Sequence, residues 1–467
     1  MGAPRPARAA DLPAPGAQVH LMGIGGAGMR GLALLLDRAG YVVSGCDRAP
    51  ADALGDLAAN GIRVEREHAP SHASGIDLLV RSSAVPTDEP EVVRAELAGV
   101  PVMRRARALG ALLNGRPLVG IAGTHGKTTI TAMTGHAAAA AGLDPLVLVG
   151  GRVDAWKGFA RLGGGPAIVE ADEFDRSFLE LHPTLAVISS LEPEHLDTYG
   201  SWGRLRAAFE EFAGRTRNAE GLIYCHDDEG ARGLAEACGF SGAEHGFGYG
   251  FGEGAWCRLE EAGRRTLRLS WPDGAINLTL RVPGRHNQLN AAAAFLATVR
   301  LGGDLRAVAR GLGEFRGVAR RLELIAAWRD LTVFDDYAHH PTEVAASLAA
   351  LREAYPDARL TVVFQPHLFT RTRDFAEAFT RALKIADEAR VLPIYPAREA
   401  PLPGVTSELI IGGAGATAAP IDRQDALDLV PPEVGSGEAV LVFMGAGDVT
   451  DLAHAAVQRR AGDAVGA

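Results

Sequence analysis

The sequence predicts an α/β protein of about three domains, and three observations carry that reading. Short apolar runs alternate with helix-like segments almost throughout, the pattern of parallel strands covered by crossover helices. Gly123-Thr124-His125-Gly126-Lys127-Thr128-Thr129 stands between the apolar run Leu118 to Ala122 and a helix-like segment from Ile130 to Ala141. The length of 467 residues allows about three domains, each with its own core.

Composition narrows the function. With 47 basic and 57 acidic residues the formal charge is −10, which repels nucleic acid and anionic membrane, so neither is expected as a partner. Cys46, Cys225, Cys238 and Cys257 form no CxxC pair and read as small buried hydrophobes in a reducing compartment. Residues 1–17 are rich in Ala, Pro and Arg without an apolar core, and no apolar run of about 20 residues occurs elsewhere. A flexible arm and a cytoplasmic address are expected.

The first block opens with a strand at Val19 to Met22, turns through Gly23-Ile24-Gly25-Gly26-Ala27-Gly28-Met29 and enters an Ala/Leu-rich helix ending near Gly40. A second strand, Tyr41 to Gly45, runs to Asp47. A GxGxxG turn with a carboxylate about 20 residues on places a diphosphate at a helix N-terminus and a ribose hydroxyl on the acid. The same glycines also serve a turn that only needs close packing. Ile76 to Val80 reads as a further strand, with Ser82 and Ser83 at its carboxyl end to meet a phosphate or to cap the next helix.

The second block begins near Asn114. In its loop Gly123 and Gly126 let the backbone N–H groups of 123–129 face an anion, Lys127 sets a point charge on the β- and γ-phosphates, and Thr128 offers a hydroxyl to Mg²⁺. A full Walker spacing would need glycine at 121, where Ile121 stands, so the loop is a shortened variant. The apolar strand Ala167 to Val169 runs into Glu170, Asp172, Glu173 and Asp175, carboxylates suited to Mg²⁺ or to a solvated turn. The next strand, Leu185 to Ser189, leads to Glu194-His195-Leu196-Asp197-Thr198-Tyr199, where His195 is either a ligand or a cap partner. Gly239 to Gly254 reads as turns of a small antiparallel excursion. Gly284-Arg285-His286-Asn287-Gln288-Leu289-Asn290 precedes an Ala-rich helix, and its amides can pair with an adenine edge, Asn287 alternatively acting as an N-cap.

The third block starts around Arg320-Arg321. Its strands, at Leu331 to Phe334, Leu360 to Phe364, Ala389 to Leu392 and Ala439 to Phe443, end in polar clusters: Asp335 to Pro341, Gln365-Pro366-His367, and Gly445 to Asp448. Polar clusters at several strand ends of one sheet mark a binding edge.

Assembled, the motifs Gly23 to Met29, Gly123 to Thr129, Glu170 to Asp175, Glu194 to Tyr199, Gly284 to Asn290, Asp335 to Glu343 and Gln365 to Thr372 resemble those of the Mur ligases over nearly the whole chain. The resemblance implies an N-terminal Rossmann-like domain for a UDP-sugar (18–113), a central P-loop ATPase with a mainly parallel sheet (114–318) and a C-terminal Rossmann-like domain for an amino acid (319–467). It implies an ATP- and Mg²⁺-dependent ligase joining L-alanine to the lactyl carboxylate of UDP-N-acetylmuramate through an acyl phosphate, acting as monomer or homodimer. By similarity, Gly25, Gly26, Ala27, Gly28, Met29, Asp47, Ser82 and Ser83 bind the UDP-sugar, and Gly123, Thr124, His125, Gly126, Lys127, Thr128 and Thr129 cradle the ATP phosphates. Asn287 and Asn290 face adenine, Arg321 the γ-phosphate and Asp336 the ribose. Thr128, Glu173 and His195 are the implied metal ligands, and Tyr337, His340, His367 and Arg371 line the alanine and acyl-phosphate side.

Three positions depart from the family pattern. Leu368 replaces the Arg common after Gln-Pro-His, leaving Arg371 alone. Phe209 falls where sister enzymes carry a carbamylated lysine, which alanine-adding members also lack. Phe174 replaces a usual Ser, a feature shared with the murein tripeptide recycling ligase, the nearest alternative. A nicotinamide dehydrogenase resting on the first glycine turn leaves the phosphate loop and the acidic motif unexplained, and a nucleotide-driven switch or scaffold without ligase chemistry is the other alternative.

Overall fold

The computed structural model describes residues 12–48, 54–194, 196–216, 221–242, 244–263, 265–397, 399–414, 417–430 and 438–465. Three sheets carry the chain, and two compact units divide it: Met1–Arg281 with Leu289–Phe315, and Val282–Gln288 with Arg316–Ala467.

The first unit holds two sheets. In the N-terminal one, five parallel strands run in the order Arg63–Arg66, Val42–Asp47, Gln18–Met22, Leu78–Arg81 and Val102–Arg104. The chain builds outward from Gln18–Met22 on one side and then returns to the other, so strand order reverses at its carboxyl end, where open parallel sheets take ligands. Val19, Leu21 and Met22 are fully buried, and Met29, Leu32, Ala33 and Leu36 of helix Ala27–Arg38 cover the sheet. That helix also meets the central sheet: a Cβ at Gly31 would lie 3.0 Å from Leu148 Cδ2, and the Arg30 guanidinium stands 5.4 Å from the Phe159 ring centre.

The central sheet has ten strands. Leu118–Ala122 lies in its middle, parallel to Leu185–Ile188 on one side and Ala167–Glu170 on the other. All five residues of Leu118–Ala122 are buried, as expected of a parallel strand covered on both faces. The glycines around 246–250 are not turns. Gly246–Gly250 is a buried strand parallel to Leu222–Cys225, and the antiparallel excursion follows it at Cys257–Gly263, Thr266–Trp271 and Gly274–Thr279. Those glycines are there for space. A Cβ at Gly246 would overlap the Phe240 carbonyl, and one at Gly248 would lie 2.8 Å from the Tyr224 ring.

The second unit carries a six-stranded sheet. Leu331–Asp336, Ala439–Met444, Arg359–Phe364, Glu388–Val391 and Ala418–Pro420 are parallel, and Glu323–Ala327 pairs antiparallel on the edge. Helices Pro341–Ala354 and Phe369–Leu383 bury Val344, Leu348, Leu351, Phe379 and Leu383 against one face. Among the described residues no helix is long and apolar enough to cross a membrane.

Candidate active site

The phosphate loop joins strand Leu118–Ala122 to helix Lys127–Ala140. Its glycines are dictated twice over. Gly123 and Gly126 have φ of +132° and +83°, and a Cβ would overlap Ser189 Oγ at the first and lie 2.7 Å from Asn290 Oδ1 at the second. Ser189 and Ser190, just past strand Leu185–Ile188, brace the loop: Thr124 N donates to Ser190 O at 3.0 Å, His125 N to Ser190 Oγ at 2.9 Å, and Ser189 Oγ to His125 O. Sequence reading singled out the serine pair at 82–83 and missed this one, although both follow an apolar strand.

Helix Lys127–Ala140 begins at the loop, so Lys127, Thr128 and Thr129 form its first turn with N–H groups pointing out of its N-terminus. The Lys127 ammonium folds back, donating to Gly123 O at 2.6 Å and to Glu173 Oε1 at 2.9 Å. Burial alone would lower its pKa, but the carboxylates of Glu173, Asp172 and Glu194 outweigh that and hold the ammonium charged. Glu173 is fully buried, its Oε2 has no hydrogen-bond partner among the described residues, and burial pushes its carboxyl up to about 7 against the pull of Lys127. Tyr199 Oη donates to the Glu173 carbonyl at 2.6 Å, and burial followed by the Glu173 charge raises that phenol.

Beside the expected metal ligands stands a carboxylate not among them: Thr128 Oγ1 donates to Glu170 Oε1 at 2.9 Å, and Glu170 Oε2 accepts from Gly150 N at 2.7 Å. Glu170 ends strand Ala167–Glu170, which lies beside Leu118–Ala122 in register, so its carboxylate emerges next to the first turn of the helix. Glu173 lies beyond the strand and meets Lys127. Two carboxylates and a hydroxyl, with one buried oxygen unpartnered, make a hard-oxygen donor set that fits Mg²⁺. His195 lies outside the described residues.

Around the first glycine turn, Gly25 N donates to Asp47 Oδ2 at 2.7 Å, so the acid expected at a ribose braces the turn. Gly25 and Gly26 shape that turn, and Ala27, Gly28 and buried Met29 open helix Ala27–Arg38. A Cβ at Gly28 would lie 2.9 Å from Arg105 Nη1, which puts a guanidinium beside this helix N-terminus that belongs to none of the sequence motifs. Ser82 N donates to Met22 O at 3.0 Å, while Ser83 Oγ donates to Asp175 Oδ2 at 2.7 Å, with Arg104 Nη1 3.2 Å from the same oxygen. Asp175 and Arg176 both have positive φ, 56° and 57°, so the acidic segment turns sharply here.

In the second unit, Asn287 is inside the first turn of helix Arg285–Arg300 and does not cap it; its Nδ2 donates to Pro283 O at 2.7 Å. Asn290 belongs to the first unit, its amide against Gly126. Arg320 and Arg321 have their guanidinium carbons 4.7 and 5.1 Å from the Tyr337 ring centre, and Arg321 Nη1 is 3.8 Å from Glu343 Oε1. Asp336 faces inward, contrary to a ribose contact: it accepts from Leu322 N, Ala338 N and Ser347 Oγ, and burial raises it to about 6 against Arg321.

A file of rings follows: Tyr337 and His339 5.2 Å apart, His339 and His367 5.8 Å, His367 and Tyr395 5.8 Å and stacked nearly parallel. Burial, then the charges of His339 and Arg371, lower His367 to about 4, so the imidazole is neutral, and its Nδ1 has no partner among the described residues. His340 is buried at the start of helix Pro341–Ala354 against Phe375, 5.0 Å away. Leu368 takes φ +71°, with its N–H on Tyr395 O, and opens the helix carrying Arg371. Phe209 is fully buried with its ring 5.1 Å from Phe178, which leaves no place for a carbamate.

Comparison with known proteins agrees over most of the chain. The Mur ligase family catalytic domain matches residues 18–117, the Mur ligase middle domain 121–298 and the Mur ligase glutamate ligase domain 320–447. The chain is 42% identical to the UDP-N-acetylmuramate–L-alanine ligase of Paenarthrobacter aurescens, covering 93% of this chain and 95% of that one. It is 44% identical to that of Kineococcus radiotolerans, covering 93% and 94%. Among solved structures, the UDP-N-acetylmuramate-alanine ligase of Thermotoga maritima matches with a TM-score of 0.79 at 29% identity, over 96% of this chain and all of that one. A murein peptide ligase from Psychrobacter arcticus shares the fold, with a TM-score of 0.68 at 21% identity over 95% and 99%.

Proposed function

This chain belongs to the Mur ligase family, and from that premise we infer that it joins L-alanine to the lactyl carboxylate of UDP-N-acetylmuramate, with ATP cleaved to ADP and phosphate, in peptidoglycan precursor synthesis. The observation that carries the reading is a phosphate loop whose Lys127 and Thr128 meet Glu173 and Glu170, within a chain similar over 93% of its length to relatives named as L-alanine ligases.

The chemistry needs a carboxylate turned into an electrophile. Phosphorylation supplies a leaving group, and the amine of alanine then displaces phosphate from the acyl carbon. Positioning and charge neutralisation dominate such phosphoryl transfer. The N–H groups of 123–129 and the Lys127 ammonium receive the ATP phosphates, and the Lys127 bond to the Gly123 carbonyl is the one they replace. Thr128, Glu170 and Glu173 would hold Mg²⁺, with His195 assigned to a second metal by family similarity alone. When bound, Mg²⁺ neutralises charge on the β- and γ-phosphates. Asn287 and Asn290 are assigned to adenine and Arg321 to the γ-phosphate. Asp336 we reassign from ribose ligand to brace of the turn between Leu322 and Ser347.

Residues 18–113 form the proposed UDP-sugar domain. Gly25, Gly26, Ala27, Gly28 and Met29, at and just inside a helix N-terminus with Arg105 beside it, receive the diphosphate, helped by Ser82. Residues 114–318 form the ATPase and 319–467 the amino-acid domain. There the neutral His367, with Tyr337, His340 and Arg371, orients the alanine and the acyl phosphate, and the unpartnered His367 Nδ1 can accept a hydrogen bond from the incoming ammonium. The nucleotide-linked substrates assign the reaction to the cytoplasm.

The test is a competition. ATP and UDP-N-acetylmuramate are offered with L-alanine, glycine, L-serine and L-alanyl-γ-D-glutamyl-diaminopimelate together, and products are identified by mass spectrometry. The L-alanine adduct is expected to dominate, with one ADP per amide bond. A dominant tripeptide adduct overturns the reading in favour of the recycling ligase.

A further inference from the structure

Away from the phosphate loop, the N-terminal sheet closes over four side chains from four elements. His20 comes from strand Gln18–Met22, Cys46 from strand Val42–Asp47, His72 from the turn Pro70–Ala73 and Glu91 from the start of helix Pro90–Leu97. One ligand-type atom from each lies within 4.8 Å of all the others. His20, Cys46 and Glu91 are 1%, 0% and 0% exposed, and the His72 side chain is 14% exposed. We propose that these four residues form a tetrahedral site for a borderline-soft divalent cation, of which Zn²⁺ is the type.

The spacing fits. Bonds of about 2.0 to 2.3 Å to zinc give a tetrahedron with edges of roughly 3.3 to 3.8 Å. Here Glu91 meets the two rings with separate oxygens, Oε1 3.1 Å from His20 Nε2 and Oε2 3.1 Å from His72 Nδ1, slightly tighter than a zinc tetrahedron, while Cys46 Sγ at 3.7 and 3.5 Å from those oxygens lies within its range. A mixed set of two imidazoles, a thiol and a carboxylate is what zinc takes and what Mg²⁺ or Ca²⁺ does not.

A hydrogen-bonded network alone accounts for the cluster less well. His20 Nε2 is buried 3.1 Å from Glu91 Oε1, an ion-pair contact that, against burial, helps hold the Glu91 carboxyl below its ordinary range, and it makes no well-formed hydrogen bond among the described residues. It points into the cluster because the other ring nitrogen is held: Nδ1 sits 2.9 Å from Ser44 Oγ. Two more candidate ligands are oriented from outside. His68 Nδ1 lies 3.0 Å from Cys46 Sγ, and Ala69 N donates to Glu91 Oε2 at 2.9 Å. Outer partners of this kind fix ring and carboxylate orientation at metal sites. Charge also closes: a dication, one thiolate, one carboxylate and two neutral imidazoles sum to zero, which suits burial. Binding forms the metal–sulfur bond as the Cys46 thiol proton leaves to solvent.

The site would join two strands, a turn and a helix directly beneath the first glycine turn, since the Cys46 carbonyl accepts from Gly23 N and Ile24 N at 2.9 and 3.2 Å. It does not depend on the ligase reading. The test uses the full chain, stripped with a chelator and titrated with Co²⁺ as the probe, followed by Zn²⁺. One equivalent of Co²⁺ is expected to give the visible bands of tetrahedral cobalt and a near-ultraviolet thiolate-to-cobalt band, both abolished by Zn²⁺. Cys46→Ser should lose the near-ultraviolet band. His72→Asn, at the partly exposed ligand where folding is least at risk, should bind on the order of 10²-fold more weakly with unchanged far-ultraviolet circular dichroism. Absence of the thiolate band in the wild type, its survival in Cys46→Ser, or unchanged affinity in His72→Asn overturns the proposal.

Discussion

Replacing Glu173 by Gln separates the energetic cost of the phosphate site from its use. In the ligand-free fold the carboxylate is wholly buried, with one oxygen on Lys127 at 2.9 Å and the other without a partner among the described residues, and its pKa rises from 4.5 to about 7. A folded-state pKa above the unfolded one means that the folded state holds the proton longer. Stability therefore falls as pH climbs from about 4.5 to about 7, by about 1.4 kcal/mol per unit. Over that window ionised Glu173 removes on the order of 3 kcal/mol from the ligand-free protein. Gln keeps the shape without the charge, so the variant should lack this slope. It is expected within about 1 kcal/mol of wild type at pH 5 and more stable, by up to about 3 kcal/mol, at pH 8.

The opposite outcome has a definite size too. If the Lys127–Glu173 pair is net stabilising, breaking it strands a buried ammonium and costs roughly 3–5 kcal/mol. The two signs differ, so urea unfolding of the metal- and nucleotide-free full chain at pH 5 and pH 8 decides. Tryptophan fluorescence reports the right unit, because Trp156, Trp202, Trp256 and Trp271 lie in it and only Trp328 lies in the other. A variant less stable than wild type at pH 8 refutes the reasoning. Turnover should meanwhile fall on the order of 10²-fold or more, because the charge that burdens the empty site serves the occupied one.

Other perturbations have equally definite outcomes. Gly126→Ala puts a Cβ 2.7 Å from Asn290 Oδ1 at φ +83°; about 1–3 kcal/mol of stability and most ADP formation should be lost, and wild-type behaviour in both would show that the loop tolerates a side chain. Because Phe209 is enclosed beside Phe178, removing bicarbonate and CO₂ at pH 6 to 7 should leave turnover unchanged, whereas specific rescue by bicarbonate would place a carbamylated lysine elsewhere. Glycine should be a measurable substrate with kcat/KM lower than that of L-alanine by roughly 10- to 200-fold, the range a methyl-sized contact can supply. Equal efficiency would mean that no pocket recognises the methyl.

Much of this was legible in the sequence, and the parts that were not share a cause. Strand Leu118–Ala122, the loop after it and helix Lys127–Ala140 follow from local rules, an apolar run followed by glycines and Lys-Thr. What the sequence cannot rank is one residue against a near neighbour of the same type. Glu170 and Glu173 are three apart in an acidic run, and only the register of Ala167–Glu170 beside Leu118–Ala122 delivers the first to Thr128 while the chain beyond the strand delivers the second to Lys127. The 246–250 glycines misled for the opposite reason, their need being set by Phe240 and Tyr224, which pack from other elements.

The same distinction explains the two aspartates assigned to ribose. Asp47 and Asp336 both end a strand of a parallel sheet, the position from which a carboxylate reaches a ligand. A strand end is also where the chain turns and backbone N–H groups lose their ladder partners, so an acid there has two competing uses. At Asp47 the Gly25 N–H takes one oxygen; at Asp336 the Leu322 and Ala338 N–H groups and the Ser347 hydroxyl take both. Asp336→Asn discriminates between those uses. Asn offers only one acceptor oxygen and places an NH₂ against the donors of the other, so a brace should lose about 1–3 kcal/mol of stability. A ribose ligand would instead raise the KM for ATP and leave the fold intact. Loss of stability, read as a lowered urea midpoint by far-ultraviolet circular dichroism, is the expected result; an unchanged unfolding midpoint with a raised KM for ATP would return Asp336 to the nucleotide.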